Sequence, residues 1–368
     1  PTEGSVMICR TFANWSVAGI VCAFAVPAMA QTEWVDYPNH PVVELEDLGP
    51  WAWAQLSRPI VVFDGTRYHM WFIGVGGEQW EQTQNIGHAT SSDGVDWTMD
   101  PLNPVLTEGT DGDWDDGGLS PGAVIHDGTQ FHMWYSGRSA AGYRQTGYAT
   151  SPDGSVWTKF SGNPVLPHGG TGPCDQHQHG APTVIFDGES YGMWYAVLDS
   201  GVCFAQSSDG INWTKRAEPV LDSDLYPGGV WDRSIYYPSV FFEGSTYHMW
   251  YTGYVGAQHG FGYAFSSDGI EWFKHRDNPI IIEPDDAYIW NPNVLSDGSL
   301  WHMWYDFQGI HTAIGAGIYH ATSDCCPGVA GLTKLLVIPA AAVTAGSEGA
   351  FFQTDVDLSN ASDRTVQY

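Results

Sequence analysis

The sequence predicts an all-β fold, a five-bladed β-propeller of four-stranded antiparallel blades. Three observations carry the prediction. A Met-Trp pair recurs at Met70, Met133, Met193, Met249 and Met303, at intervals of 54–63 residues. A Trp follows a Ser-x-Asp-Gly turn at Trp97, Trp157, Trp213 and Trp272. Residues 34–43 (WVDYPNHPVV) align with residues 97–106 (WTMDPLNPVL), so a fourth-strand sequence arrives before any first strand. Periods of this length with several strands each describe small sheets arrayed in a ring.

Each blade reads in the same order. The first strands are PIVVFDG, GAVIHDG, PTVIFDG, PSVFFEG and PNVLSDG. Asp-Gly or Glu-Gly then makes a tight hairpin into the HMWY strand. A variable loop leads to a third strand such as IGHATSSDG, and the Ser-x-Asp-Gly turn leads to the fourth. The turn Asp is expected to bond its own backbone. The last repeat ends at residues 319–324 without a fourth strand, so the early segment should pair there and close the ring, removing the open edges.

Forty-two acidic and 13 basic residues give a formal net charge of −29, which repels polyanions. Nucleic acid and anionic membrane surfaces are therefore discounted as partners, and a neutral polysaccharide fits. Aromatics at 14%, with 44 Gly and 22 Pro, supply core and turns. Residues 7–30 read as a secretory signal: Arg10, the apolar run VAGIVCAFAVPA, and an Ala28-Met29-Ala30 cleavage site. Residues 1–30 thus form an extension plus signal, 31–326 the propeller, and 327–368 a linker and the start of a truncated second β-domain. The mature chain is expected to be secreted, monomeric and free of the membrane. Cys9 and Cys22 leave with the signal; of the three pairings of the other four, Cys174 with Cys203 is preferred, because both lie in blade three.

Repetition separates scaffold from site. His69, His132, His248 and His302 share the HMW slot, and Asp93, Asp153, Asp209 and Asp268 share the turn slot, so both sets read as structural. Asp116, Asp232 and Asp286 take the same place relative to their strands, which favours loop architecture. A ligand is expected over the central channel, on the face made by loops entering the first strands and loops joining second to third strands. Residues that break the pattern there are the candidates. Asp306 stands where other blades have Ile73, Ser136, Ala196 and Thr252. Asp175, His177 and His179, if extended, point to one face and suit acid–base work, a metal or structural hydrogen bonds. Trp53, Trp114, Trp290, Arg58, Tyr237 and Asn291 offer aromatic planes and polar groups for a sugar. The loop DGDWDDGG (residues 111–118) spaces its acids like a calcium loop, with Gly one place late and no closing Glu, so no cofactor beyond a structural calcium is expected.

The repeats FHMWYSG, TGYATSPDGSVWTK and NPVL, preceded by WDDGG, resemble the five-bladed propellers of the arabinanase, β-xylosidase, invertase and levansucrase superfamily (glycoside hydrolase families 43, 32 and 68). The likeness covers about residues 34–324. It implies paired carboxylates at the inner ends of the first strands, commonly an Asp just before the strand-one Pro and, in a later blade, a Glu two places before its Pro. Here Arg58, Ser120, Ala181, Tyr237 and Asn291 hold the first place, and Gly180 holds the blade-three place of the acid. The family's catalytic set therefore maps onto no position. Two readings follow. One is a secreted glycoside hydrolase-like enzyme with relocated acids Asp175, Asp232 and Asp306, assisted by His177 or Arg233. The other is a non-catalytic propeller that binds glycan or another ligand. A sialidase-like propeller ranks third, because basic residues for a carboxylated sugar are scarce.

Overall fold

The structure is a computed structural model that describes residues 7–12, 19–24, 33–78, 81–169, 172–175, 179–197, 200–222, 231–255, 258–282, 287–309, 316–324, 358–359 and 365–366. Residues 33–323 form one compact unit, an all-β five-bladed propeller. Its first strands are Gln55–Phe63, Leu119–His126, His179–Phe186, Ser234–Glu243 and Ala287–Ser296, each pairing antiparallel with the Met-Trp strand of its blade. Ring closure follows the expectation. Val35–Asp36 and Val43–Glu44 both pair with the last strand, Gly317–Asp324, with Ala321 opposite Asp36 and Ile318 opposite Val43. In the other unit, Met7–Phe12 pairs with Gly19–Phe24, and Leu358–Ser359 pairs with Thr365–Val366. The cleavage site, Cys325, Cys326 and most of residues 327–368 lie outside the described residues.

The repeated residues join one blade to the next. The indole N–H of Trp71 donates to Gly154 O, Trp134 to Gly210 O, Trp194 to Gly269 O, and Trp304 to Gly94 O, each crossing to the following blade's Ser-x-Asp-Gly turn. The same four carbonyls accept the indole of their own fourth-strand Trp. Trp250 faces the blade completed by the N-terminal segment, and it packs edge-on against Trp34 instead, at 6.2 Å. These indoles are buried, so each needs an acceptor, and the turn carbonyl supplies it.

The other repeats also have scaffold duties. Asp93 Oδ1 accepts from the Val95 and Asp96 amides, and Asp153, Asp209 and Asp268 repeat the bond. The HMW histidines bond the hairpin Asp: His69 to Asp64, His132 to Asp127, His302 to Asp297. Asn103, Asn163 and Asn278, before the Pro of NPVL or NPII, each use the side-chain amide as a strand, accepting the N–H and donating to the C=O of one third-strand residue.

Blade three departs at one point. In blades one, two and four an entry-loop Trp fills a space kept open by glycines: a Cβ on Gly74 would fall 2.2 Å from the Trp51 ring, on Gly137 2.4 Å from Trp114, and on Gly253 2.5 Å from Trp231. In blade three Cys174 replaces the Trp, Val197 replaces the first glycine, and Cys203 replaces the third-strand glycine seen at Gly87, Gly147 and Gly262. The expected Cys174–Cys203 disulfide forms there.

Candidate functional site

The five first strands line the central channel, and each carries a register shift at its proline. In four blades the residue before that proline, Arg58, Ala181, Tyr237 or Asn291, has φ of 54–59°. A left-handed conformation is costly for any residue but glycine, and its recurrence shows that it belongs to the hub's construction. It turns four consecutive Xaa-Pro pairs toward the channel, whose wall they form. Blade two does it differently. Ser120 lies opposite Ser136, the place held in blade one by Ser57 opposite Ile73, so Ser120 does not share the Arg58 slot as expected. Pro121-Gly122 takes that turn, and a Cβ on Gly122 would fall 2.4 Å from the Pro182 ring.

In blades four and five a residue of the second strand serves the next blade's turn. Thr252 Oγ1 accepts from the Asn291 amide at 3.2 Å, and Asp306 Oδ1 accepts from the Arg58 amide at 3.2 Å. A neutral hydroxyl therefore meets the scaffold's need, and the ionisable group at Asp306 exceeds it. Asp306 Oδ1 also accepts from Asn291 Nδ2 at 2.8 Å. Protein atoms surround the carboxyl, and the residue as a whole is half-buried. Burial pushes it up to about 7, against the opposing hydrogen bonds from Asn291 and the Arg58 amide and the Arg58 charge. Both bonds use Oδ1, so Oδ2 is the atom left for a ligand.

Arg58 is only 4% exposed, and burial lowers it to about 10. Its Nη1 donates to Ser120 Oγ, and its guanidinium lies 5.4 Å from the Tyr237 ring centroid. Beside Tyr237 stands an aromatic wall from blades four and five. Trp290 meets Tyr237 edge-on at 6.0 Å and lies 4.4 Å from His259, which meets Tyr288 at 4.5 Å; Tyr236 stacks on Tyr254 at 5.7 Å. Flat rings beside hydrogen-bonding groups suit a sugar's alternating C–H faces and hydroxyls.

Asp306, Arg58, Asn291, Tyr237 and Trp290 thus come together. Other candidates do not. Asp232 Oδ2 pairs with Lys274 Nζ at 2.7 Å and accepts from Tyr251 Oη at 3.1 Å. Asp115 makes the same pair with Lys159 at 2.7 Å and accepts from Tyr135, and Asp175 pairs with Lys215 at 2.5 Å. Three blades repeating one buried ion pair mark it as scaffold, so Asp175 and Asp232 are corrected from catalytic candidates to loop anchors. The counterpart of Asp232 is Asp115, not Asp116, which is half-buried and accepts from the Gly112 and Ala140 amides. Trp114 is likewise reassigned: it fills the glycine-lined space of blade two and packs on Tyr135.

Trp53 is exposed and donates to Gly77 O at 3.0 Å, and Arg233 is exposed. His179 opens a first strand; His177 and Asp286 lie outside the described residues. In the DGDWDDGG loop, Asp113 accepts from Thr110, Asp116 from Gly112, and Asp115 holds Lys159. Among the described residues no cluster of three His, Cys, Asp or Glu is placed to hold a metal ion. Two residues went unnoticed in the sequence. Arg144 opens a third strand near Arg58 and Tyr237, and the scarcity of basic residues was the signal for it. Burial pushes the Glu108 carboxyl up, with Asp116 and Asp115 adding to the effect.

Comparison with known proteins accords with this architecture. Residues 58–232, just under half of the chain, match the family described as glycosyl hydrolases family 32 N-terminal domain. An uncharacterized Mycobacterium tuberculosis protein is 28% identical over 200 residues, covering 50% of this chain and 64% of its own length. The chain thus spans slightly less than two thirds of that relative. A glycosyl hydrolase from Bacteroides ovatus superposes with a TM-score of 0.61 at 17% identity, covering 81% of this chain and 95% of the other. A β-1,2-mannobiose phosphorylase from Listeria innocua gives 0.62 at 12% identity, covering 79% and 96%. At such identities the likeness speaks for the fold. Family match and fold together make the chain similar to the five-bladed β-propellers of the glycoside hydrolases.

Proposed function

We propose that this is an exported carbohydrate-active propeller, glycoside hydrolase-like, that takes a sugar of a plant or microbial oligo- or polysaccharide into its hub and uses Asp306 for proton transfer. The carrying observation is Asp306 itself: an ionisable carboxyl poised near neutrality at a position where Thr252 shows that a hydroxyl suffices. A group with this affinity exists in both forms at neutral pH, so it can donate to a leaving oxygen or accept from a hydroxyl. Hydrolysis with two carboxyls needs a partner about 5–10 Å away. Among the described residues no second carboxyl hydrogen-bonds to Asp306. The 28%-identical relative carries no activity in its description, and the named activities of the structural relatives belong to them.

Export is supported by the signal-like residues 7–30 and by the Cys174–Cys203 disulfide, a bond typical of oxidising compartments. The acidic surface favours an uncharged polymer over nucleic acid or membrane, with a monomer as the working state.

The second reading, a non-catalytic glycan-binding propeller, is favoured by the aromatic wall at Tyr237, Tyr254 and Trp290. The test is turnover of aryl-arabinoside, aryl-xyloside and fructan substrates by the wild type and Asp306→Asn. Turnover lost in the variant supports the enzyme. Retention on a polysaccharide affinity gel without turnover supports the binder, and neither activity would sink the carbohydrate reading.

A further inference from the structure

The hub holds positive charge that forms no ion pair among the described residues. Only 13 of 368 residues are Lys or Arg, yet two of them approach each other here. Arg58 is buried and lines the channel, and its Nη2 has no hydrogen-bond partner. Arg144 begins the strand Arg144–Ser151, opposite Arg138, at the end of blade two where second and third strands join. It lies close enough to Arg58 and Tyr237 for their charges to interact. Among the described residues neither arginine forms an ion pair with a carboxylate, whereas Asp115, Asp175 and Asp232 each hold a lysine.

A buried guanidinium with a second one within electrostatic range, and no carboxylate paired to either among the described residues, is costly. The nearby acid, Asp306, touches Arg58 through the backbone amide and not through the guanidinium. Its raised affinity for a proton further reduces the negative charge it offers near neutrality. An arginine with a free N–H edge is matched to the oxygens of a carboxylate or a phosphate. Asn291 Oδ1, also buried and unpartnered, is an acceptor fitted to a hydroxyl on the same ligand.

We propose that Arg58 and Arg144 form an oxyanion-binding site in the hub, taking a carboxylate or phosphate group beside the sugar-binding wall. This rests on the hub being the ligand site, and it reverses the expectation that an acidic sugar is disfavoured: basic residues are few overall but concentrated at the channel. The anion arrives either as free phosphate or as the carboxylate of an acidic sugar.

Isothermal titration of the purified chain at pH 7 with sodium phosphate, methyl glucuronide and methyl glucoside separates these sources. Saturable phosphate binding, about tenfold or more weaker in Arg144→Gln and recovered in part by Arg144→Lys, supports the site with free phosphate. Glucuronide binding with the same variant pattern, and no phosphate binding, supports it with an acidic sugar. Because Arg58→Gln removes a buried group, its melting curve is recorded with the titration, and Arg144→Gln carries the decision. No anion binding, or binding unchanged in Arg144→Gln, overturns the proposal. The readout needs no turnover, so failure to find a glycosidase activity leaves this result standing. Conversely, turnover of neutral glycosides without anion binding removes the oxyanion site alone.

Discussion

Asp232 and Asp306 are both aspartates of the propeller blades, and they sit in opposite electrostatic settings. Asp232 has Lys274 at 2.7 Å and Tyr251 at 3.1 Å, and blades two and three repeat its ion pair. Asp306 has an amide N–H, an asparagine and no ion-pair partner, and no other blade repeats it. Charge compensated identically in several blades builds the ring. A carboxyl without an ion-pair partner among the described residues costs stability, and such a group is a functional-site candidate.

The contrast can be broken by removing each acid. Asp232→Ala strands Lys274 in a site where its side chain is 13% exposed, and is expected to lower unfolding stability by about 3 kcal/mol in urea titration. A loss below about 1 kcal/mol would deny the anchor role. Reducing Cys174–Cys203, which closes a 29-residue separation, should cost about 3 kcal/mol as well. Blades two and four show the alternative filling, so Cys174→Trp combined with Val197→Gly and Cys203→Gly should recover much of that loss under reducing conditions. Failure of the triple variant to exceed the reduced wild type would contradict the Trp-for-disulfide exchange.

A further pair of opposed effects appears with pH. Burial lowers His88 and His248 to about 4 and His320 to about 3, with the His302 and His40 charges adding at His320. An unfolded histidine titrates near 6.5, so the unfolded chain takes up these protons first as pH falls. Their contribution is whole above pH 6.5 and is lost as pH drops toward 4. Asp306 has the opposite sign: its folded value is raised, so its contribution is present below about 4 and is lost as pH rises through 7. Three histidines outweigh one aspartate, so stability measured at pH 7 should exceed that at pH 4.5. Tyr148 and Tyr263 occupy the His320 slot in other blades, and His320→Tyr should flatten the acid limb. The smallest effect belongs to the inter-blade latch. Trp71→Phe removes one indole bond to Gly154, whose carbonyl keeps Trp157, at a cost of about 1–2 kcal/mol.

The blade count, ring closure and disulfide were legible because each depends on a motif that repeats or on residues within one blade. The hub was only half legible. Asp306, Arg58 and Asn291 stood out as breaks in the pattern, but what joins them is a contact across 248 residues between the last blade and the first. Asp175 and Asp232 misled because their lysine partners lie about 40 residues away in the fourth strand, and because Asp115 rather than Asp116 completes the set. The Trp, Gly and Cys exchange at Cys174, Val197 and Cys203 was written in the sequence, and only the packing shows that the three changes answer one another.

The central claim is that Asp306 titrates near neutrality in the folded hub. Carboxyl carbon NMR of the chain labelled at aspartate, followed from pH 4 to 9 in the wild type and Asp306→Asn, tests it without a substrate. A resonance with a midpoint near 7 that vanishes in the variant is the predicted result. A wild-type spectrum in which every aspartate has titrated by about pH 5, the ordinary range, would contradict it.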